Sequence, residues 1–254
     1  MSDELVLAKL GQGPEIFYSL QGEGTSAGLP SIFVRSSGCN LQCYWCDTDY
    51  TWNWQGTNYI HARDDSQHSN KFERRQVQIR MRAAEVAARI LEIDCLNVIF
   101  TGGEPLLQPL RLAEVADILK SKNPKYEFEI ETNGTMIPPP SLDEAIKRYN
   151  VSPKLSNARL AAEARLRPDA LRWFTDSPKA TFKFVVSSPA DQEEIEEFQQ
   201  TYAVPSRRIL VMPEARTQAD LAQHRTWIFE LCLKQGWRYS DRLHVAVYGD
   251  RRGV

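Results

Sequence analysis

Three cysteines fall within eight residues, in Cys39-Asn-Leu-Gln-Cys43-Tyr-Trp-Cys46, while Cys95 and Cys232 stand alone in a chain of 254 residues. A secreted disulfide framework spreads an even set of cysteines through a shorter chain. The cluster therefore reads as a metal site. Its C-x3-C-x2-C spacing puts three thiolates on one short loop and leaves a cubane iron–sulfur cluster one iron short of full ligation. An iron with an open position takes a chelating group from outside the protein, as a catalytic metal does. The same cysteines would serve a structural zinc if Cys95, Cys232 or one of the four histidines brought a fourth ligand. Zinc knuckles usually come as two C-x2-C pairs, and only one is present. Tyr44 and Trp45 lie between the second and third cysteines, where they shield a cluster or simply pack.

Other polar motifs recur at intervals: Thr101-Gly-Gly-Glu-Pro105, Glu131-Thr-Asn-Gly134 and Ser152-Pro-Lys154. Paired glycines free backbone groups for a ligand's ammonium and carboxylate, with Glu104 placed to orient that edge. Ser, Asn and Lys suit a ribose and a carboxylate. Each motif alone is ordinary turn chemistry; their succession along the chain ties them together.

Something must hold these motifs side by side. Short apolar runs alternate with segments of helical period after residue 80, the pattern of βα units and a mostly parallel sheet. Ser31–Arg35 predicts a first barrel strand just before the cysteines, and Asn97–Thr101 a second. Tyr126, Phe128 and Ile130 alternate with Glu127, Glu129 and Glu131 as a third. Val151–Leu155, Thr181–Ser187 and Ile209–Pro213 follow. Val86, Ile90 and Ile93 form one apolar helical stripe, and Leu112, Val115 and Leu119 another. Ser141-Leu-Asp-Glu144 reads as a capping-box start. A charged helix over Asp191–Tyr202 turns Ile195 and Phe198 inward. A last helix carries Leu221, His224, Ile228 and Leu231 on one face and ends at Gly236, and His244–Tyr248 reads as a final strand. About six βα units are too few for a closed eight-stranded barrel, so the expected fold is α/β, an open partial (β/α)6 barrel with a C-terminal extension. Ligands of parallel sheets bind at the strand C-terminal ends, where all these motifs fall. Residues 1–254 are expected to form one domain, with 50–80 an insertion or long loop; His61 and His68 within it are more simply solvated loop histidines than ligands.

Composition narrows the class further. Lys and Arg number 31 against 33 Asp and Glu, a net charge of −2, which gives no field to hold a nucleic acid. No apolar run approaches the roughly 20 residues of a membrane span, and the Met-Ser-Asp-Glu start lacks the order of a signal peptide. The expectation is a soluble, cytoplasmic protein.

The cysteine loop after the first strand resembles the signature of radical S-adenosylmethionine enzymes, and Thr101–Pro105 resembles their methionine-binding motif. Within that superfamily, Ser19-Leu-Gln-Gly-Glu-Gly24, Phe33–Gln42, Cys46-Asp-Thr48 and Tyr248–Val254 are similar to the 7-carboxy-7-deazaguanine synthase family. The resemblance covers most of the chain outside 50–80. It implies a [4Fe-4S] cluster on Cys39, Cys43 and Cys46 whose open iron chelates S-adenosylmethionine, and a 5′-deoxyadenosyl radical from its reductive cleavage. It also implies contraction of a 6-carboxy-5,6,7,8-tetrahydropterin ring to 7-carboxy-7-deazaguanine with loss of ammonia.

Residue by residue, the resemblance assigns Gly103, Glu104, Asn133, Ser152, Pro153 and Lys154 to S-adenosylmethionine. Leu20, Gln21, Gly22, Glu23, Arg35, Thr101 and the carboxylate of Val254 are assigned to the pterin, and the hydroxyl of Thr48 to Mg2+. Arg35 suits a substrate carboxylate as a planar fork, and a hard cation suits an oxygen ligand. A homodimer and an external electron donor such as flavodoxin are further implications. Two alternatives stand beside this reading. An activase making a glycyl radical on a partner protein shares the cluster and the Gly-Gly-Glu-Pro motif, but a small-molecule enzyme should close its pocket with its own chain. A zinc-stabilised binding module would cleave no cofactor.

Overall fold

The computed structural model describes residues 3–64 and 70–254, so His68 lies outside the described residues. The chain opens with strands β1 (Glu4–Leu10), β2 (Gly13–Pro14) and β3 (Ile16–Leu20), followed by β4 (Pro30–Ser36) and the cysteine loop. The 50–80 segment ends in α1 (Arg74–Val77) and β5 (Gln78–Arg82), and α2 (Ala83–Leu91) and β6 (Asn97–Gly102) follow. Next are α3 (Pro109–Lys122), β7 (Glu127–Thr132), α4 (Pro140–Asp143) and β8 (Ile146–Val151). The chain continues through α5 (Ala162–Arg165), α6 (Pro168–Asp176), β9 (Ala180–Val186), α7 (Asp191–Thr201) and β10 (Ile209–Pro213). It closes with α8 (Gln218–Gln235), β11 (Arg238–Tyr239) and α9 (Leu243–Tyr248).

Strands β4, β6, β7, β8, β9 and β10 pair in that order, all parallel. The sheet path ends at β11 on one side and at β1–β2 on the other, so the barrel is open, as six βα units predict. Val98, Ile99 and Phe100 of β6 are all buried, the continuous apolar reading of a strand covered on both faces. Helices α2, α3, α7 and α8 set Val86 and Ile90, Leu112, Val115 and Leu119, Ile195 and Phe198, and Ile228 and Leu231 against the sheet in one core. Gly236 ends α8 in the left-handed conformation at φ +67°.

The alternation in β7 means something different from a solvated face. Phe128 and Ile130 join the outer core, while Glu129 is buried inside the barrel, accepting from Ser26 Oγ at 2.7 Å and Arg148 Nε at 3.1 Å. The polar side of this strand lines an interior.

Several local expectations are corrected. The fourth strand of the series is Ile146–Val151, not Val151–Leu155. Lys147 and Arg148 disguise its start, but they pair with Glu127 and Glu129 on β7, and Pro153 has no N–H with which to extend a ladder. Ser141 is not an N-cap: it sits inside the single turn Pro140–Asp143, capped by Pro139. His244–Tyr248 is helix rather than strand, because only Val245 of its apolar residues is buried, against Ala215 and Leu221, while Val247 faces out. Nor is 50–80 simply a loop. Its end forms β5, which pairs antiparallel with β1 over Glu4–Ala8 and extends the sheet. His61 is buried, not solvated. Among the described residues no helix is long and apolar enough to cross a membrane.

Candidate active site

The strand C-terminal ends open into one cleft that encloses about 1590 Å³ of empty space, its mouth included. All three loop cysteines line it, with Gln21, Arg35, Thr101, Asn133 and Lys154.

The cysteine loop leaves β4 at Ser36 and is pinned on both sides. Tyr44 N–H donates to Ala158 O at 3.0 Å and Trp45 Nε1 to Asn157 Oδ1 at 3.1 Å, beyond β8. Gly103 N–H donates to Ser36 O at 3.1 Å and Glu104 N–H to Gly38 O at 2.9 Å, beyond β6. This approach needs glycine: a Cβ on Gly103 would lie 2.1 Å from Gly38 O, and one on Gly102, at φ +131°, 2.2 Å from Ser36 O.

The donor set fits an iron–sulfur cluster. Burial pushes the Cys43 thiol up to about 12 against the pull of Lys154, and burial with the Glu104 charge raises Cys39. Unmetallated, these thiols stay protonated and are poor nucleophiles; a cationic centre is what turns them into thiolates. N–H groups already point at the sulfurs, Leu41 N at Cys39 and Trp52 Nε1 at Cys46, at 3.4 and 3.3 Å. A fourth zinc ligand is missing among the described residues. Cys95 sits at the opposite end of β6, donating to Pro30 O, and Cys232 is in the core. Both ring nitrogens of His61 are engaged, by Cys46 O and Arg63 N. No three His, Cys, Asp or Glu side chains among the described residues gather around one ion.

Beside the cysteines lie Gly103, Asn133, Ser152 and Lys154. Lys154 Nζ donates to Ser152 Oγ at 2.9 Å and sits over the Trp45 ring. Asn133 Nδ2 donates to Asn40 Oδ1 at 2.9 Å. Glu104 and Pro153 are not in the lining. Glu104 lies fully buried behind the wall, where its carboxylate accepts from Leu106 N, Thr132 Oγ1 and Asn133 N at 2.7–2.9 Å. Burial raises its pKa. Its role is to join the ends of β6 and β7 and to set the Asn133 backbone.

The same cleft is lined by Leu20, Gln21, Gly22, Glu23, Arg35, Thr48, Thr101 and Val254. Gln21 Nε2 and Thr101 Oγ1 both donate to Glu131, at 3.0 and 2.6 Å. Arg35 donates from Nε to Glu15 at 2.9 Å and has its guanidinium near the Phe17 ring. Burial alone would lower its pKa, but Tyr50, Glu15, Asp47 and Glu131 raise it, so the charge is fixed. Glu23 is held by Lys183, and by Arg242 Nε at 2.8 Å; these cations and His244 overcome its burial and keep it far below the usual carboxylate range. Arg242 also donates to Asp47, next to Thr48, whose Oγ1 lies 3.6 Å from the Cys46 sulfur. Met212 and Glu214 at the end of β10 complete the wall. Residues 249–254 also line the cleft, with Arg252 donating to Glu15 Oε2 at 2.5 Å.

Sequence reasoning missed Asp47, Lys183 and Arg242 and left Glu131 without a role. Lys183 had a usable signal: a lysine inside the apolar strand Thr181-Phe-Lys-Phe-Val-Val186 must meet a buried acid.

An open six-stranded parallel barrel with a C-x3-C-x2-C loop after its first parallel strand defines a radical S-adenosylmethionine enzyme, and residues 33–186 match the Radical SAM superfamily model. The chain is 36% identical over 241 residues to the 7-carboxy-7-deazaguanine synthase of Pyrobaculum aerophilum, covering 94% of this chain and 95% of that one. Its identity to the synthase of Halobacterium salinarum is 34% over 267 residues, covering 94% and 93%. The crystal structure of QueE from Escherichia coli superposes with a TM-score of 0.66 at 26% identity, covering 95% of each chain. The chain belongs to the 7-carboxy-7-deazaguanine synthase family.

Proposed function

We propose that this chain contracts the ring of 6-carboxy-5,6,7,8-tetrahydropterin to 7-carboxy-7-deazaguanine with loss of ammonia, in deazapurine and queuosine biosynthesis. The observation that carries the reading is the joining, in one cleft, of the cysteine loop to a second subsite where an arginine stands beside paired hydrogen-bonding side chains. Cys39, Cys43 and Cys46 would hold a [4Fe-4S] cluster that, with S-adenosylmethionine, would supply the hydrogen-abstracting radical. The protein's residues bind and orient. Lys154 and Ser152 take the cofactor's carboxylate and ribose, and Gly103 presents backbone to its methionine end.

Arg35, whose side chain lines the cleft and commits its Nε to Glu15, takes the substrate carboxylate. Gln21, Thr101 and Glu131 read the donor-rich pterin edge, a carboxylate being the natural acceptor for a guanidine-like group. Glu23, already held by Lys183 and Arg242, fixes the Leu20–Gly22 backbone against that edge. Phe17, Phe33, Val185 and Met212 supply apolar wall that keeps water from a radical. Thr48 Oγ1 would be the oxygen this chain offers to Mg2+, a hard cation that takes oxygen ligands. A cleft lined in part by the chain's own residues 249–254 suits a small substrate better than a partner protein's glycyl loop. The enzyme acts in the cytoplasm as a homodimer, needs neither nucleic acid nor membrane, and takes its electron from an external donor such as flavodoxin.

The test is anaerobic reconstitution followed by incubation with S-adenosylmethionine, reductant, Mg2+ and 6-carboxytetrahydropterin, with product followed by mass spectrometry. 7-Carboxy-7-deazaguanine forms and is abolished in Cys43→Ala. 5′-Deoxyadenosine without that product would end the substrate assignment; no cleavage by a cluster-loaded enzyme would end the radical reading.

A further inference from the structure

Beyond Thr48, the stretch after the third cysteine has no part in the function proposed above, yet Trp52 and His61 both reach back to Cys46. Trp52 is 2% exposed, and its indole N–H donates to the Cys46 sulfur at 3.3 Å. Its position is fixed: its backbone N–H donates to Asp49 O at 2.9 Å, and its ring meets those of Tyr59 and His61 edge-on. His61 holds the other side of the same cysteine. Its Nε2–H donates to the Cys46 carbonyl at 2.7 Å while Nδ1 accepts from Arg63 N–H at 3.1 Å, so one neutral tautomer satisfies both. Trp45, nearby on the loop, spends its indole N–H on Asn157 instead.

A buried indole N–H needs an acceptor. A neutral thiol is a weak one, whereas a thiolate bound to iron carries the negative charge that makes a strong one. Hydrogen bonds to the sulfurs are one of the levers that set an iron–sulfur cluster's potential. They favour the reduced state, in which the sulfurs are more negative.

We propose that Trp52 is a positioning residue that raises the reduction potential of the cluster through its hydrogen bond to Cys46, with His61 holding the Cys46 backbone so that the sulfur stays on the indole N–H. This rests on the reading that the three cysteines carry a [4Fe-4S] cluster. The juxtaposition eases the one-electron reduction that precedes cofactor cleavage.

Wild type and Trp52→Phe are reconstituted with iron and sulfide and compared by iron and labile-sulfide content and by an EPR-monitored redox titration. Phenylalanine keeps the packed ring and deletes the N–H. Cluster content stays equal and the midpoint moves to more negative potential, so that at the wild-type midpoint the reduced-to-oxidised ratio falls about three- to tenfold, the worth of one hydrogen bond. An unchanged midpoint overturns the inference; a wild type that takes up no cluster overturns the cluster reading beneath it. If Trp52→Phe does not retain a cluster, wild type labelled with indole-15N tryptophan decides by pulsed EPR. A 15N coupling to the reduced cluster supports the bond, and its absence overturns it.

Discussion

At Arg35 one side chain carries both a structural and a binding task. Its Nε is committed to Glu15, which also accepts from Tyr50 and Arg252, so the guanidinium is held in one orientation before substrate arrives. A lysine keeps the charge but has no second edge to present. Arg35→Lys is therefore expected to raise KM for the pterin about ten- to a hundredfold, the loss of one charge-assisted pair, with a smaller fall in kcat. Steady-state kinetics of the reconstituted enzyme check this, and an unchanged KM would remove Arg35 from the substrate subsite. Glu104 shows the limit of reading a residue from a motif. The Gly-Gly-Glu-Pro sequence drew attention to it correctly, but its carboxylate serves three donors behind the wall rather than a ligand in front of it.

The ends of β4 and β6 form the hinge of the site, because the cysteine loop leaves one and the glycine pair leaves the other at backbone contact. Gly103→Ala forces a Cβ to within 2.1 Å of Gly38 O, and neither partner is a flexible side-chain tip that could yield. The expected cost is about 1–3 kcal/mol in urea denaturation, together with at least about a tenfold loss in 5′-deoxyadenosine formation, because the same shift moves the loop that bears Cys39. Wild-type stability and cleavage in this variant would show that the approach of the two loops is not needed. β6 and β10 were legible because they are apolar on both faces, and β7 by its period-two alternation. β5 and β8 were not: Gln78, Arg80 and Arg82, and likewise Lys147 and Arg148, look like loop until a facing strand pairs with them.

Across the whole molecule, Glu23 joins segments far apart in the chain. Its buried carboxylate meets Lys183 of β9 and Arg242 before α9, and Gly22 O accepts from Leu243 N at 3.0 Å. Burial alone would raise its pKa, and the cations win and lower it from 4.5. A depressed carboxylate contributes stability that is complete above the unfolded value and lost as pH falls through the folded one. Glu23→Gln should thus cost about 3–5 kcal/mol at pH 7, leaving buried cations unpaired. The gap to wild type should stay flat from pH 5 to 8 and narrow below about 4.5. Urea midpoints at a series of pH values test this; a gap that persists undiminished at pH 3 contradicts it. The sequence by itself determined the chemistry of the cysteine loop, the order of the parallel strands and the opening of the barrel. Those signals are local: a spacing of three thiols, or a period of two or of 3.6. Tertiary structure alone decided that Glu129 and Glu131 of β7 face an interior, that Lys183 and Arg242 hold Glu23, and that Trp52 and His61 close around Cys46. A charge or an indole N–H carries no mark in sequence of the partner it will meet across the barrel, because that partner is chosen by folding.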